Sequence, residues 1–310
     1  MTKLRDHGGG LDAAVRNHGG DRADWLDLST GINPVPYPVG QISQDAWTAL
    51  PDQGAMTRLL EAARKFWDVP DEAAIIAAPG ASALIARIPS LRPKGSVHIH
   101  APTYNEHAAA FRASGWQVGK AQSDAQVVVH PNNPDGRLWT ESDLTAPFRI
   151  IDESFCDTTP KETLMRLAGR PGTLLLKSFG KFWGLAGLRL GFAIGDPGLV
   201  SELAERLGPW ATSGPAIEIG ARALGDPDWA MTARKRLAED AARLDRMMVP
   251  HGQLVGGTDL FRLYDVDDAA TVQNRLAQHQ IWTRIFPYST GWLRLGLPAP
   301  DRWAQLEAAL

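Results

Sequence analysis

Residues 176–191 read Leu176-Lys177-Ser178-Phe179-Gly180-Lys181-Phe182-Trp183-Gly184-Leu185-Ala186-Gly187-Leu188-Arg189-Leu190-Gly191. The apolar run at 173–176 predicts a strand, and it hands over directly to a Gly/Ser loop that carries an amine, Lys181. A guanidinium, Arg189, follows eight residues later. In an open α/β sheet ligands bind outside the carboxyl ends of the strands, so Lys181 falls where chemistry is done. The Gly-Lys pair is not a nucleotide-binding P-loop. Phe182 stands where Ser or Thr is needed, and Leu175 occupies the place of the first glycine.

Outward from this segment, short apolar runs recur at 74–78, 97–101, 126–130, 149–151 and 188–194. Runs of this length without alternation suit strands buried on both faces, as in a parallel sheet covered by helices. A helical pattern at 55–67 precedes them and others at 81–88 and 104–114 lie between them, which supports an α/β layered architecture. Past residue 200 the pattern becomes α+β. Helices are predicted at 197–207, 215–224, 228–248 and 268–279, with strands at 260–264, 281–285 and 292–296 and a last helix from Asp301. Residues 1–40, with Gly8-Gly9-Gly10 and Asn33-Pro34-Val35-Pro36, read as an arm with little regular structure. The expected organisation is therefore an arm at 1–40, a large domain at 41–200 and a small domain at 201–310.

Lys181 has company. Ser178-x-x-Lys181 followed by Arg189 resembles the S-x-x-K…R signature of fold-type I pyridoxal-phosphate enzymes. His130-Pro131-Asn132-Asn133-Pro134-Asp135-Gly136 is similar to their N-P-x-N-P-T-G motif, and Asp152-Glu153-Ser154-Phe155 to their D-E-x-[FY]. Pro102-Thr103-Tyr104 resembles P-x-[YF], and Gly80-Ala81-Ser82, between a strand and a helix, resembles the phosphate cradle. Each motif alone is weak, but five in the family's order over 80–191 identify the chain as similar to the aspartate-aminotransferase-like fold. That resemblance implies a mostly parallel seven-stranded sheet between helices and a smaller α+β domain.

It also implies roles, residue by residue. Lys181 would join the cofactor's aldehyde through its amine and later transfer a proton. Asp152 would keep the pyridine nitrogen protonated, Asn133 would hydrogen-bond the phenolate oxygen, and Tyr104 would stack on the ring. Gly80, Ala81, Ser82, Ser178 and Arg189 would hold the phosphate. Trp292-Leu293-Arg294-Leu295-Gly296 resembles the strand carrying the substrate-carboxylate arginine, because a planar guanidinium grips a carboxylate with two parallel bonds. Arg284, ten residues earlier, offers a second anion site and suggests a substrate with two negative groups.

The arm narrows the family. His7-Gly8-Gly9 and Leu28-Ser29-Thr30-Gly31-Ile32-Asn33-Pro34 resemble segments of the L-threonine O-3-phosphate decarboxylases of cobalamin biosynthesis. In that family the arm folds over the substrate, which implies contacts from His7, Gly8 and Asn33. Histidinol-phosphate aminotransferases share the core motifs and are the alternative. The two differ in which Cα bond stands perpendicular to the imine plane, an angle set by the anion clamps. The resemblance further implies a homodimer. Relatives place a tyrosine near the neighbouring subunit's cofactor phosphate where this chain has Leu50, which has no hydroxyl to offer.

Bulk properties exclude other classes. A net charge of -3 without a Lys/Arg run argues against a nucleic-acid track. One cysteine, Cys156, excludes an internal disulfide framework and fits a reducing cytoplasm. The first residues lack an apolar signal core, and no stretch approaches the ~20 apolar residues of a membrane span. His98-x-His100 would put two imidazoles on one strand face, but no carboxylate or cysteine lies at ligand spacing, so no metal is expected.

Overall fold

The computed structural model describes residues 7–119 and 122–310. These form two compact units, one of Pro36–Ala233 and one of Arg234–Leu310 together with the described residues up to Val35.

The larger unit is built on a seven-stranded sheet in the order Ala74–Ala78, Gly191–Gly195, Thr173–Ser178, Phe148–Asp152, Ala125–Val129, Ser96–Ile99 and Gln117–Val118. Neighbours run parallel except for Gly191–Gly195, which is antiparallel to both strands beside it. All five residues of Ala125–Val129 and of Gly191–Gly195 are buried, as their unbroken apolar runs require. Helices supply the cover. Leu84, Ile85, Phe111, Leu199 and Leu203 pack with Val97, Val127, Ile150, Leu174 and Leu176 in one core.

Local chemistry sets the helix bounds. Asp52 caps Gln53–Trp67 by accepting from the Ala55 N–H at 2.6 Å, and Leu59, Ala63 and Trp67 form its buried stripe at four-residue spacing. Asp196 accepts from the N–H groups of Gly198 and Leu199 and starts Pro197–Leu207, with proline at its first turn. The boundary expected near residue 200 therefore falls differently. Pro197–Leu207 and Gly214–Leu224 belong to the larger unit, because their apolar faces complete its core.

The smaller unit has a four-stranded antiparallel sheet in the order Arg284–Phe286, Ser289–Gly296, Phe261–Asp265 and Gln253–Thr258. The arm is woven into this unit. Leu26–Asp27 pairs parallel with Ile281–Trp282, and Leu28 donates to Trp282 O and accepts from Gly296 N, both at 2.7 Å. The arm also contains a helix, Leu11–His18, contrary to the expectation of little regular structure. Leu11 and Ala14 pack with Trp25 and Ala277, and tertiary burial holds a helix of two turns.

Candidate active site

Strand register brings the candidate cofactor residues of the larger unit to one end of the sheet. Asp152 and Ser178 are the last residues of adjacent parallel strands. Gly191 stands between Ser178 and Ala78, paired with both. A Cβ on Gly191 would lie 2.5 Å from Ala81 N, so glycine lets the strand meet the Gly80–Ala81 turn. Gly80 itself has φ +84° and precedes the helix Ala81–Arg87, and a Cβ there would sit 2.5 Å from Arg189 Nη2. The Arg189 guanidinium thus lies against the turn, and its own backbone is left-handed with φ 53°.

Asp152 is buried, and its carboxylate is the most organised group of the site. His107 Nε2 lies 2.8 Å from Oδ2, while Ser154 donates to Oδ1 from its N–H at 3.0 Å and its hydroxyl at 2.5 Å. Burial pushes the Asp152 carboxyl up, but the hydrogen bond and charge of His107 and the bonds from Ser154 outweigh it, and the net shift is down. An ionised carboxylate only accepts, so His107 Nε2 carries the proton. His107 lies three residues after Tyr104, one turn into Asn105–Ala113, and the two ring centroids are 6.1 Å apart.

Tyr104 and Asn133 are joined through Asn132. This buried side chain accepts from the Thr103 hydroxyl at 2.6 Å, donates to Pro102 O at 3.0 Å and donates to Asp135 at 2.7 Å. It pins the Pro102–Tyr104 segment to the loop that carries Asn133. The Lys181 amine lies 5.3 Å above the Phe155 ring, and Phe155 closes the segment begun by Asp152.

Behind these residues lies a polar core that sequence reasoning did not find. Lys177 Nζ is 2.7 Å from Glu153 and 3.2 Å from Asp157, all three buried. Asp157 also accepts from Trp67 Nε1 at 2.9 Å and Trp183 Nε1 at 3.1 Å. Burial pushes the Lys177 amine down, yet the charges of Glu153 and Asp157 more than reverse this and the net shift is up. Lys177 precedes Ser178 on its strand and Glu153 directly follows Asp152, with its N–H bonded to Leu176 O, so both face the other side of the sheet. Asp157 thereby anchors Trp183, two residues past Lys181. His130, Glu153 and Cys156 also approach one another closely, but Glu153 and His130 are engaged by Lys177, Thr163, Leu164, Glu162 and Trp139. The His98 and His100 rings contact each other, Nε2 to Nδ1, at 3.3 Å.

The candidate substrate residues sit in the smaller unit. Arg284 and Arg294 are register partners on adjacent strands. Burial and then the charge of Arg284 push the Arg294 guanidinium down to about 10. Arg294 Nη2 donates to Ser29 O at 2.6 Å, and the Ser29 hydroxyl accepts from Gly9 N at 2.7 Å. Gly8 lies so close that a Cβ would be 2.4 Å from Ser29 O. Ser29 therefore holds the His7-Gly8-Gly9 segment and Arg294 together, with His7 exposed at its end. Asn33 is buried, and its Oδ1 accepts from Arg236 at 2.5 Å and from Val35 N at 3.0 Å. Ser29 belonged to a recognised motif and Arg236 to none. Leu50 is exposed.

The larger unit supplies an amine, a proton-bearing carboxylate–imidazole pair, a hydroxyl and a guanidinium over a glycine turn. These fit an aldehyde-bearing aromatic phosphate: Gly80 leaves the space that a Cβ would fill, and Asp152, with two acceptor oxygens, can take one more N–H.

Residues 116–309 match the family described as Aminotransferase class I and II. The threonine-phosphate decarboxylase of Pseudomonas aeruginosa is 39% identical over 330 residues, covering 99% of this chain and 97% of that protein. The threonine-phosphate decarboxylase of a Sinorhizobium species is 38% identical, covering 95% of this chain and 93% of its own length. The histidinol-phosphate aminotransferase of Sinorhizobium meliloti, solved in complex with pyridoxal-5'-phosphate, shares the fold with a TM-score of 0.84 at 18% identity, over 99% of this chain and 94% of that one. By fold, by its match over 116–309 and by near full-length identity to these decarboxylases, the chain belongs to the class I and II aminotransferase family and, within it, to the threonine-phosphate decarboxylases.

Proposed function

We propose that the chain removes carbon dioxide from L-threonine O-3-phosphate to give (R)-1-aminopropan-2-ol O-phosphate, with pyridoxal 5'-phosphate held at Lys181. The observation that carries this reading is the near full-length similarity to two threonine-phosphate decarboxylases, at 39% and 38% identity over 99% and 95% of the chain. Pyridoxal phosphate, when bound, supplies an aldehyde that takes up an amine and a protonated ring that accepts an electron pair. Lys181 would hold the cofactor through its side-chain amine. Asp152, kept ionised by His107 and Ser154, holds the proton on the ring nitrogen. Asn133 would bind the phenolate oxygen, Tyr104 would lie against the ring, and Gly80, Ala81, Ser82, Ser178 and Arg189 would hold the phosphate.

Arg284 and Arg294 take the two anionic groups of the substrate, with His7, Gly8 and Asn33 closing over it. Their task would be to orient the substrate carboxylate for its loss as carbon dioxide. Lys181, as an ammonium, would supply the proton that takes the place of the departing carboxylate at Cα. A clamp that stabilised the carboxylate fully would oppose its loss, so binding energy must be taken mainly from the phosphate end.

A homodimer accords with exposed Trp47, Leu50 and Trp210 on the larger unit, beside an apolar depression lined by Met56, Leu60, Ile76 and Leu207. A place in cobalamin biosynthesis follows from the proposed product, and the single, buried Cys156 fits a cytoplasmic setting. No described helix is long and apolar enough to cross a membrane.

The test is a paired assay on the cofactor-loaded protein. Carbon dioxide release from L-threonine O-3-phosphate, without glutamate formation from histidinol phosphate and 2-oxoglutarate, is expected. Lys181→Ala should abolish both turnover and the absorbance band near ~420 nm. Glutamate without carbon dioxide would replace the decarboxylase by an aminotransferase.

A further inference from the structure

At the opposite end of the sheet from Asp152 and Ser178 lies a depression of about 630 Å³ that no step above uses. Its floor is formed where two parallel strands begin, with Arg149 and Thr173 as register partners side by side. Arg166, in the Met165–Leu167 turn, and Arg170, three residues past it, line one wall, and Glu141 is ion-paired to both. Three guanidiniums thus share one lining with a single carboxylate.

Two buried donors of this lining have no partner. The Thr173 hydroxyl belongs to a fully buried residue and makes no hydrogen bond, and Arg149 Nε makes none although Arg149 Nη2 donates to Pro171 O at 2.7 Å. Buried donors are nearly always satisfied, and a ligand or ordered water is the usual explanation when protein groups do not serve. A ligand that satisfies these donors must bring acceptor oxygens, and Glu141 offsets one of the three guanidinium charges, which leaves two for an anion to balance. Planar guanidiniums match phosphate oxygens in pairs, which a monocarboxylate cannot exploit three times over. The depression is also far larger than one phosphate.

We propose that this depression binds a diphosphate group, with Arg149, Arg166, Arg170 and Thr173 as its donors. The group belongs either to inorganic pyrophosphate or to a nucleoside diphosphate. The site is separate from the cofactor and substrate residues, and decarboxylation does not require it.

Calorimetric titration of pyrophosphate, and separately of ADP, into the full cofactor-loaded chain tests this. One diphosphate should bind per chain with Arg166 and Arg170 intact. Arg166→Gln and Arg170→Gln, both at exposed positions, should each weaken it about tenfold or more while carbon dioxide release is unchanged. Thr173→Val keeps the shape and should weaken it severalfold, and Glu141→Gln should tighten it. Tighter ADP than pyrophosphate assigns the nucleotide as the source, and the reverse assigns the inorganic ion. The proposal is overturned if neither probe binds, or if binding survives the Arg166 and Arg170 changes but is lost in Arg284→Gln, which would put it at the substrate site.

Discussion

Lys177→Met should destabilise the larger unit by about 3–5 kcal/mol at pH 8, the cost typical of leaving a buried ion pair without one partner. Lys177 is the only cation within 3.2 Å of both Glu153 and Asp157 among the described residues, and all three side chains are nearly inaccessible. Methionine matches the volume of the chain but leaves two buried carboxylates facing each other. Glu153 keeps its bonds from the Thr163 hydroxyl and Leu164 N, and Asp157 keeps those from Trp67 and Trp183, so the fold should survive. For a domain of this size the loss corresponds to a fall in Tm of roughly 2–4 °C per kcal/mol, or about 10 °C in all.

The pH dependence carries the diagnosis. In the parent chain the Lys177 amine is raised, so its contribution is fully present below the ordinary lysine value of about 10.4 and is lost only as pH rises through the folded value. In the variant the two carboxylates repel each other without the amine between them, and a proton shared by the pair relieves this, so folding binds protons and the variant gains stability as pH falls. Scanning calorimetry of both proteins at pH 8 and pH 5.5 should show the gap narrowing on acidification. A loss below about 1 kcal/mol, or a gap that widens at pH 5.5, would refute the reasoning.

His107→Phe removes the donor to Asp152 and should lower kcat for carbon dioxide release about tenfold or more with KM little changed, read from initial rates. Because the Asp152 carboxyl is lowered in the parent, its stabilising contribution is present above the ordinary carboxylate range and lost as pH falls through the folded value; the stability deficit of His107→Phe should therefore be largest near neutral pH and narrow on acidification, read by scanning calorimetry. Gly80→Ala meets Arg189 at 2.5 Å in a left-handed backbone and should cost about 1–3 kcal/mol and weaken cofactor binding, measured by equilibrium dialysis of the loaded enzyme. Arg294→Lys loses the paired geometry and should reduce kcat/KM about 10–100-fold in steady-state assays.

The six apolar runs, five of the larger sheet's interior strands and the strand Ala74–Ala78 beside them, were legible because burial on both faces leaves an unbroken signature. The edge strand Gln117–Val118 has two residues and offers no pattern to read. The run at 281–285 is two strands, since Ile281–Trp282 pairs with the arm and Arg284–Phe286 with Ser289–Gly296, and no local signal distinguishes those partners. Helical periodicity likewise shows that Pro197–Leu207 has an apolar face but not which sheet it covers. Among site residues, Lys181, Asp152, Ser178 and Arg189 lie in recognisable local strings. His107 could have been suspected from its three-residue spacing to Tyr104. Lys177 and Asp157 could not, because their contact arises from strand order and from a loop that returns behind the sheet.

Ser29 gives the arm a thermodynamic consequence. Its hydroxyl accepts from Gly9 and its carbonyl from Arg294, so the two bonds sit on one rigid residue, itself held through Asp27. Local opening that releases Gly9 also loosens the acceptor that orients Arg294, which makes the arm and the arginine one cooperative exchange unit. An anion that engages Arg294 should then slow hydrogen–deuterium exchange at the Gly9 amide without touching it. By reciprocity, a chain whose arm is held closed should bind that anion more tightly by the same factor.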